Sequence, residues 1–222
     1  MMESKMNNSK KFFGLITMVS VCALLGGCNI FGWMAAPWGS DVDIKEVPAQ
    51  YTQLKDKSVA VLVAADIGIL AQHKDAPYRV TSIVSQRLAM GIESLDLMKP
   101  NLVRHFQNKN QNWYTTKYEN LLKAVGTDAI IIIELTEYRT HEPGNKYQWQ
   151  GVIAGTVTLI DSQASDPSEA VFQQVVRNTF PENTKVGVLD ADEVRIQQGM
   201  NSLFARDAAG LFFDHEVKTM KK

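Results

Sequence analysis

Ala129-Ile130-Ile131-Ile132-Ile133-Glu134-Leu135 carries the strongest buried-strand signal in the chain. Six of its seven side chains are apolar, so it has no solvent-facing side. A strand apolar on both sides of its pleat needs cover on both faces, the situation of a central parallel strand in an α/β sheet. Immediately upstream, residues 118–125 read as a helix that stops at Gly126. Glycine is the usual residue just past a helix C-terminus, because it adopts the left-handed conformation without penalty. Asp128 then leads into the strand.

Working upstream, Ser58-Val59-Ala60-Val61-Leu62-Val63-Ala64 is a second continuous apolar run and reads as another doubly covered strand. A loop follows through Asp66 and Lys74. Pro77 stands where a first helical residue is expected. Val80, Ile83, Val84, Arg87, Leu88 and Gly91 keep to one helical stripe. Arg87 fits there by laying its stem on the core and its charge in water. Within residues 97–106 a short strand is expected around Leu102 and Val103. Residues 107–116 are polar and rich in Asn and Gln, a loop.

Downstream, residues 141–146 form a turn around Pro143-Gly144. Residues 148–161 alternate, with Trp149, Gly151, Ile153, Gly155, Val157 and Leu159 on one side. Residues 171–180 alternate again, with Phe172, Val176 and Phe180 together. Two alternating runs joined by a turn predict an antiparallel hairpin. Residues 181–192 are loop. A last helix is expected from about 193 to 217, with Ile196, Met200, Leu203, Phe204, Ala208, Leu211 and Phe212 at three-to-four spacing. Early strand–helix alternation and a late hairpin predict an α/β domain: one mixed sheet of about five strands with three helices packed on it. No internal repeat is visible.

The amino terminus has a different character. Lys5, Lys10 and Lys11 precede an apolar run from Phe12 to Leu25. That run is shorter than the roughly 20 residues a bilayer-spanning helix needs, and its flanks are those of an export signal. It ends in Leu25-Gly26-Gly27-Cys28, which resembles the lipobox of bacterial lipoproteins. The resemblance implies cleavage before Cys28 and acylation of its thiol, with Gly26 and Gly27 small enough to admit the peptidase. Met6 begins a second complete leader. The expected organisation is a signal peptide over 1–27, a lipidated tether over 28–56 and an α/β domain over 57–222. In the tether, Phe31, Trp33, Met34 and Trp38 either rest at the membrane interface or pack on the domain.

Cysteine use agrees with this division. Of the two cysteines, Cys22 leaves with the leader and Cys28 takes lipid. No thiol then remains for a disulfide, a zinc site or a nucleophile. About 195 residues from Cys28 onward suffice for a hydrophobic core. The chain has 23 basic and 24 acidic side chains; losing Lys5, Lys10, Lys11 and Glu3 takes the net charge from −1 to −3. That balance offers no basic field for nucleic acid. No later apolar run is long enough to cross a bilayer as a helix, which leaves lipid on Cys28 as the expected membrane anchor. Three acyl chains, usual in lipoproteins, would hold it firmly at about 0.8 kcal/mol per buried methylene.

Residue patterns that carry chemistry are few. His73, His105, His141 and His215 are far apart and form no H-x-x-x-H or H-E-x-x-H. His141-Glu142 reads as a solvated turn rather than a metal pair. Asp190, Asp192 and Glu193 lack the turn glycine of a calcium loop, since Gly187 precedes them; capping of the last helix by Asp190 or Asp192 is the better account. There is no G-x-S-x-G, Walker loop or G-x-G-x-x-G. Gly151 and Gly155 sit in a strand pattern, as for a bulge or close packing. Glu134 and Glu137 have opposite parity, so a regular strand would point them to opposite faces. No catalytic residue, cofactor or metal ligand is assigned.

Several segments carry a resemblance: residues 58–63, the helix over 78–91, Ala124-Val125-Gly126-Thr127-Asp128-Ala129-Ile130-Ile131, and the strand over 151–160. Together they resemble a group of envelope lipoprotein domains. The group includes the curli-export lipoprotein, the amino-terminal domain of the Tol-system propeller protein and the lipoproteins that activate peptidoglycan synthases. It implies a non-enzymatic protein that docks an envelope partner, in secretion, wall synthesis or lipid transport, or one that assembles into a ring. The exporter's pore is not implied, because 107–116 is too short and polar for membrane strands. Asn29, rather than aspartate, after Cys28 points to the outer membrane by the sorting habit of well-studied two-membrane bacteria.

Overall fold

The structure is a computed structural model and describes residues 42–145, 147–182 and 187–220. In chain order the elements are β1 (Val42–Val47), β2 (Ser58–Ala65), α1 (Ile67–Gln72), α2 (Ala76–Gly91), β3 (Asp96–Leu97), α3 (Pro100–Lys109), a 3-10 turn (Trp113–Thr115), α4 (Tyr118–Val125), β4 (Ala129–His141), β5 (Trp149–Asp161), β6 (Phe172–Phe180), α5 (Glu193–Gly210) and β7 (His215–Met220). The chain divides into two compact units, Met1–Lys45 with Lys218–Lys222, and Glu46–Val217. Of the first, the described residues belong to β1 and β7, which pair as a two-stranded sheet.

The second unit is built on a five-stranded mixed sheet in the order β3-β2-β4-β5-β6. β3, β2 and β4 are parallel, and β5 and β6 join antiparallel. The parallel pairs need crossovers, and the helices supply them. α1 and α2 lead from β2 to β3, and α3 and α4 lead from β3 to β4. Each crossover covers a different face. On one face Val59, Val61, Val63, Ile131, Ile133 and Ile153 meet Val80, Val84 and Leu88 of α2 and Met200 and Phe204 of α5. On the other, Ala60, Leu62, Ile130, Ile132 and Ile160 meet Val103 of α3, Trp113, and Leu121, Leu122 and Val125 of α4. β4 is thus apolar on both sides because both sides are covered, and each such Ile or Leu contributes about 1.5–3 kcal/mol over an exposed one.

The entry to β4 is locked. Gly126 ends α4 in the left-handed region at φ 77°. One Asp128 carboxylate oxygen then accepts from the Ser58 backbone N–H at 2.8 Å and from its hydroxyl at 2.6 Å. The Asp128 N–H donates back to Ser58 Oγ at 2.9 Å. These bonds align the starts of the two central strands, where Val59 faces Ala129.

A bulge then changes which side chains share a face. Glu134 pairs with Thr156 and Leu135 with Gly155, but Glu137 pairs with Ala154. Thr136 is the extra residue. Glu134 and Glu137 therefore lie on the same face, contrary to the parity expected from a regular strand. Tyr138 turns instead into the core. Gly155 sits beside the bulge, where an added Cβ would come within 2.8 Å of the Glu134 carbonyl oxygen. Gly151 marks close packing, since a Cβ there would meet Ile196 at 2.7 Å.

Other local expectations are corrected. Leu102 and Val103 are helical, within α3, because Pro100 opens a helix in its first turn and buries Val103 against the sheet. The strand of that region is only Asp96–Leu97. The stretch read as loop over 107–116 contains the end of α3 and a 3-10 turn that buries Trp113. α1, also unread, is nucleated by Asp66, whose side chain accepts from the Ile69 N–H at 2.8 Å. The last helix stops at Gly210 rather than near 217. The Leu211 carbonyl accepts from Gln50 and Tyr51, and the His215 ring closes on Gly210, so the helix cannot run on. Within the stretch read as tether, β1 forms a strand and Leu54 is wholly buried in the core.

Candidate functional site

Cys28, with Leu25, Gly26 and Gly27 of the lipobox, lies outside the described residues, as do Phe31, Trp33, Met34 and Trp38. Of the remaining singled-out residues the structure brings His73 and Glu193 together, 3.7 Å apart, and places the others elsewhere. His105 is exposed on α3. His141 stacks on Trp149 at 4.0 Å, and His215 lies against Phe213 at 5.8 Å. Asp192 caps α5, accepting from the Arg195 N–H at 2.8 Å. Among the described residues, no three His, Cys, Asp or Glu side chains are grouped to hold a metal.

The most organised polar cluster was not visible in the sequence as a cluster. It lines a cleft of about 380 Å³ bounded by the end of α1, the start of α2, the start of α5 and Tyr138. Arg79 of α2 donates to Gln197 Oε1 at 2.7 Å. The Gln197 amide donates to Glu193 at 2.9 Å and lies 3.4 Å from His73 Nδ1. His73 Nδ1 is 3.7 Å from the Glu193 carboxylate, and its ring is 4.9 Å from that of Tyr138. Asn201 donates to the Tyr138 hydroxyl at 3.1 Å.

Local structure explains the convergence. Glu193, Gln197 and Asn201 are four apart, so α5 presents them in one row. His73 is held where α1 ends, its N–H bonded to the Ile69 carbonyl. Tyr138 reaches the cluster only because Thr136 bulges. The signal within the sequence was that polar row beside the Ile196–Met200–Phe204 stripe. Nothing local tied it to His73 or Tyr138.

Burial lowers the His73 pKa, and Arg79 adds to this, while Glu193 opposes it. Its imidazole is therefore neutral at pH 7. Burial raises the Tyr138 phenol. The cleft thus offers a neutral imidazole, a phenol, a guanidinium and a carboxylate, already joined to one another. Such a set can bind a ligand or fix helix geometry.

A second polar group occupies the sheet face that α3 and α4 leave uncovered. Glu137 is bonded to both Arg139 and Arg177. Burial would raise its pKa, but the bonds from Arg177 and Arg139 outweigh this and hold it below the ordinary range. Val175, on the edge strand β6, is 65 % exposed beside them.

No protein-family model matches the chain, and no curated protein matches it in sequence. Solved structures similar to it include PelC from Paraburkholderia phytofirmans, a dodecamer, at 12 % identity over 78 % of this chain and 98 % of that one, with a TM-score of 0.46. The lipoprotein GNA1162 from Neisseria meningitidis is 13 % identical over 68 % of this chain and 97 % of its own, with a TM-score of 0.45. CT253 from Chlamydia trachomatis is 13 % identical over 68 % of this chain and 90 % of that one, with a TM-score of 0.42. Figures this low say nothing of activity or partners.

Proposed function

We propose that this chain is a bacterial envelope lipoprotein, anchored through lipid on Cys28, whose α/β domain binds an envelope protein complex without catalysing a reaction. The observation that carries the reading is Leu25-Gly26-Gly27-Cys28 behind a short apolar run with basic flanks. The small residues before the cysteine suit a peptidase, and the thiol suits acylation. The non-catalytic half of the reading is supported by a sequence that carries none of the catalytic motifs named above and by a polar cleft whose groups are committed to one another. Asn29 favours the outer membrane, with the domain facing the periplasm; secretion, wall synthesis and lipid transport are the processes such a protein serves. Cross-linking intact envelopes and purifying the full chain tests the reading: a stoichiometric envelope partner is expected, and recovery of abundant bystanders alone would count against it.

Self-association is a second reading, favoured by one observation. Among the described residues, β6 is paired on one side only and ends the sheet as a nine-residue edge. An edge of that length is a ready template for another strand. Light scattering of the full chain in detergent gives the stoichiometry directly.

A further inference from the structure

A second crevice of about 310 Å³, which shares Lys74 and Asp75 with the cleft beside His73, lies outside the carboxyl end of β2, lined by Ala64 and Ala65 together with residues of α2, α3 and the 3-10 turn. Its position is the switch point of the sheet. The connection leaving β2 runs over one face and the connection leaving β3 over the other, and ligands of open α/β sheets bind where such connections diverge.

The lining has a definite chemistry. Tyr78 and Tyr114 bring two rings that are 37 % and 62 % exposed. Gln107 and Gln111 bring primary amides, each both donor and acceptor. The Gln107 amide is held in place by donating to the Val63 carbonyl at 3.0 Å. The Arg104 guanidinium lies 5.1 Å over the Tyr78 ring, and among the described residues it has no carboxylate partner. Two cations, Arg104 and Lys74, line the crevice against one carboxylate, Asp75. Thr81 lines it too; it is 1 % exposed, and its hydroxyl has no hydrogen-bond partner. A buried hydroxyl left so is rare and calls for a partner.

A simple phosphate cradle does not fit. Pro77 removes an amide from the first turn of α2, and the Arg79 N–H is spent on the Asp75 carbonyl. Exposed rings beside donor–acceptor amides suit a polyhydroxylated ring, whose C–H face stacks and whose hydroxyls both give and take hydrogen bonds. A guanidinium at the rim suits a carboxylate. We propose that this crevice binds a short acidic glycan, with a sugar ring on Tyr114, hydroxyls on Gln107, Gln111 and Thr81, and the sugar carboxylate on Arg104.

Titration calorimetry on the full chain in detergent tests this, with trigalacturonate and a hyaluronan tetrasaccharide as acidic probes and maltotriose as the neutral one. Saturable binding is expected for at least one acidic probe, with maltotriose weaker by about tenfold or more. Arg104→Ala and Tyr114→Ala, both at exposed positions, should each weaken it by about tenfold. Thr81→Val should weaken binding while leaving the unfolding temperature unchanged or raised, which a purely structural threonine would not do. No heat from either acidic probe, equal affinity for maltotriose, displacement by equimolar inorganic phosphate, or indifference to all three substitutions would overturn the proposal.

Discussion

Asp128 shows how one side chain sets the register of two strands. It accepts from the Ser58 N–H and hydroxyl, and those bonds hold its carboxyl below the ordinary range. As pH falls, the unfolded chain therefore takes the proton first. The contribution is complete above the ordinary carboxylate pKa and is lost as pH drops through the lower native value. Asp128→Ala leaves two Ser58 donors without their acceptor and should cost about 1–2 kcal/mol at pH 7, toward the low end because the group is partly solvated. Urea unfolding at pH 7 and pH 3 checks this: the gap between wild type and variant should narrow in acid. His73 behaves alike in direction for a different reason. Burial lowers its pKa, so the unfolded chain again protonates first, below about 6.5. Its contribution is full above that value and fades as pH falls through the native one. Unfolding midpoints between pH 7.5 and 5 should fall in wild type and flatten in His73→Gln.

At the scale of elements, legibility followed length and periodicity. β4, β5, β6 and the cap at Gly126 were readable because long apolar or alternating runs leave few choices. Leu102-Val103 was not, since two apolar residues fit a strand or a helix equally and the deciding residue was Pro100. α1 is only six residues and rests on one capping carboxylate. The bulge at Thr136 was illegible for a deeper reason: parity along one strand cannot show that it carries a residue its partner does not match. Its consequence is large, because it sets Glu137 beside Arg177 and turns Tyr138 toward His73. Deleting Thr136 removes the bulge but leaves Glu137 opposite Ala154 and Tyr138 opposite Ile153, so both contacts should survive. Thermal unfolding of the deletion should show a modest loss, about 1–2 kcal/mol; a loss of several kcal/mol, as for a regular strand whose faces a deletion swaps, would refute the bulge.

For the molecule as a whole, the function proposed divides labour between a leader, expected over residues 1–27, that would address the chain and a domain that offers surfaces. Composition already excluded a nucleic-acid field and a disulfide framework, and the mixed sheet with helices on both faces was readable from the order of patterns. The cleft was not, because it joins residues 73, 79, 138, 193 and 197, which meet only after the sheet and α5 are in place. The function proposed rests first on the compartment, and the compartment rests on Cys28. Intact mass of the protein extracted from membranes, for wild type and Cys28→Ala, tests that most directly. A wild-type mass equal to the chain from Cys28 onward plus acyl groups is expected, with the acyl mass absent in the variant. An unmodified mass, with both forms in the soluble fraction, would contradict it.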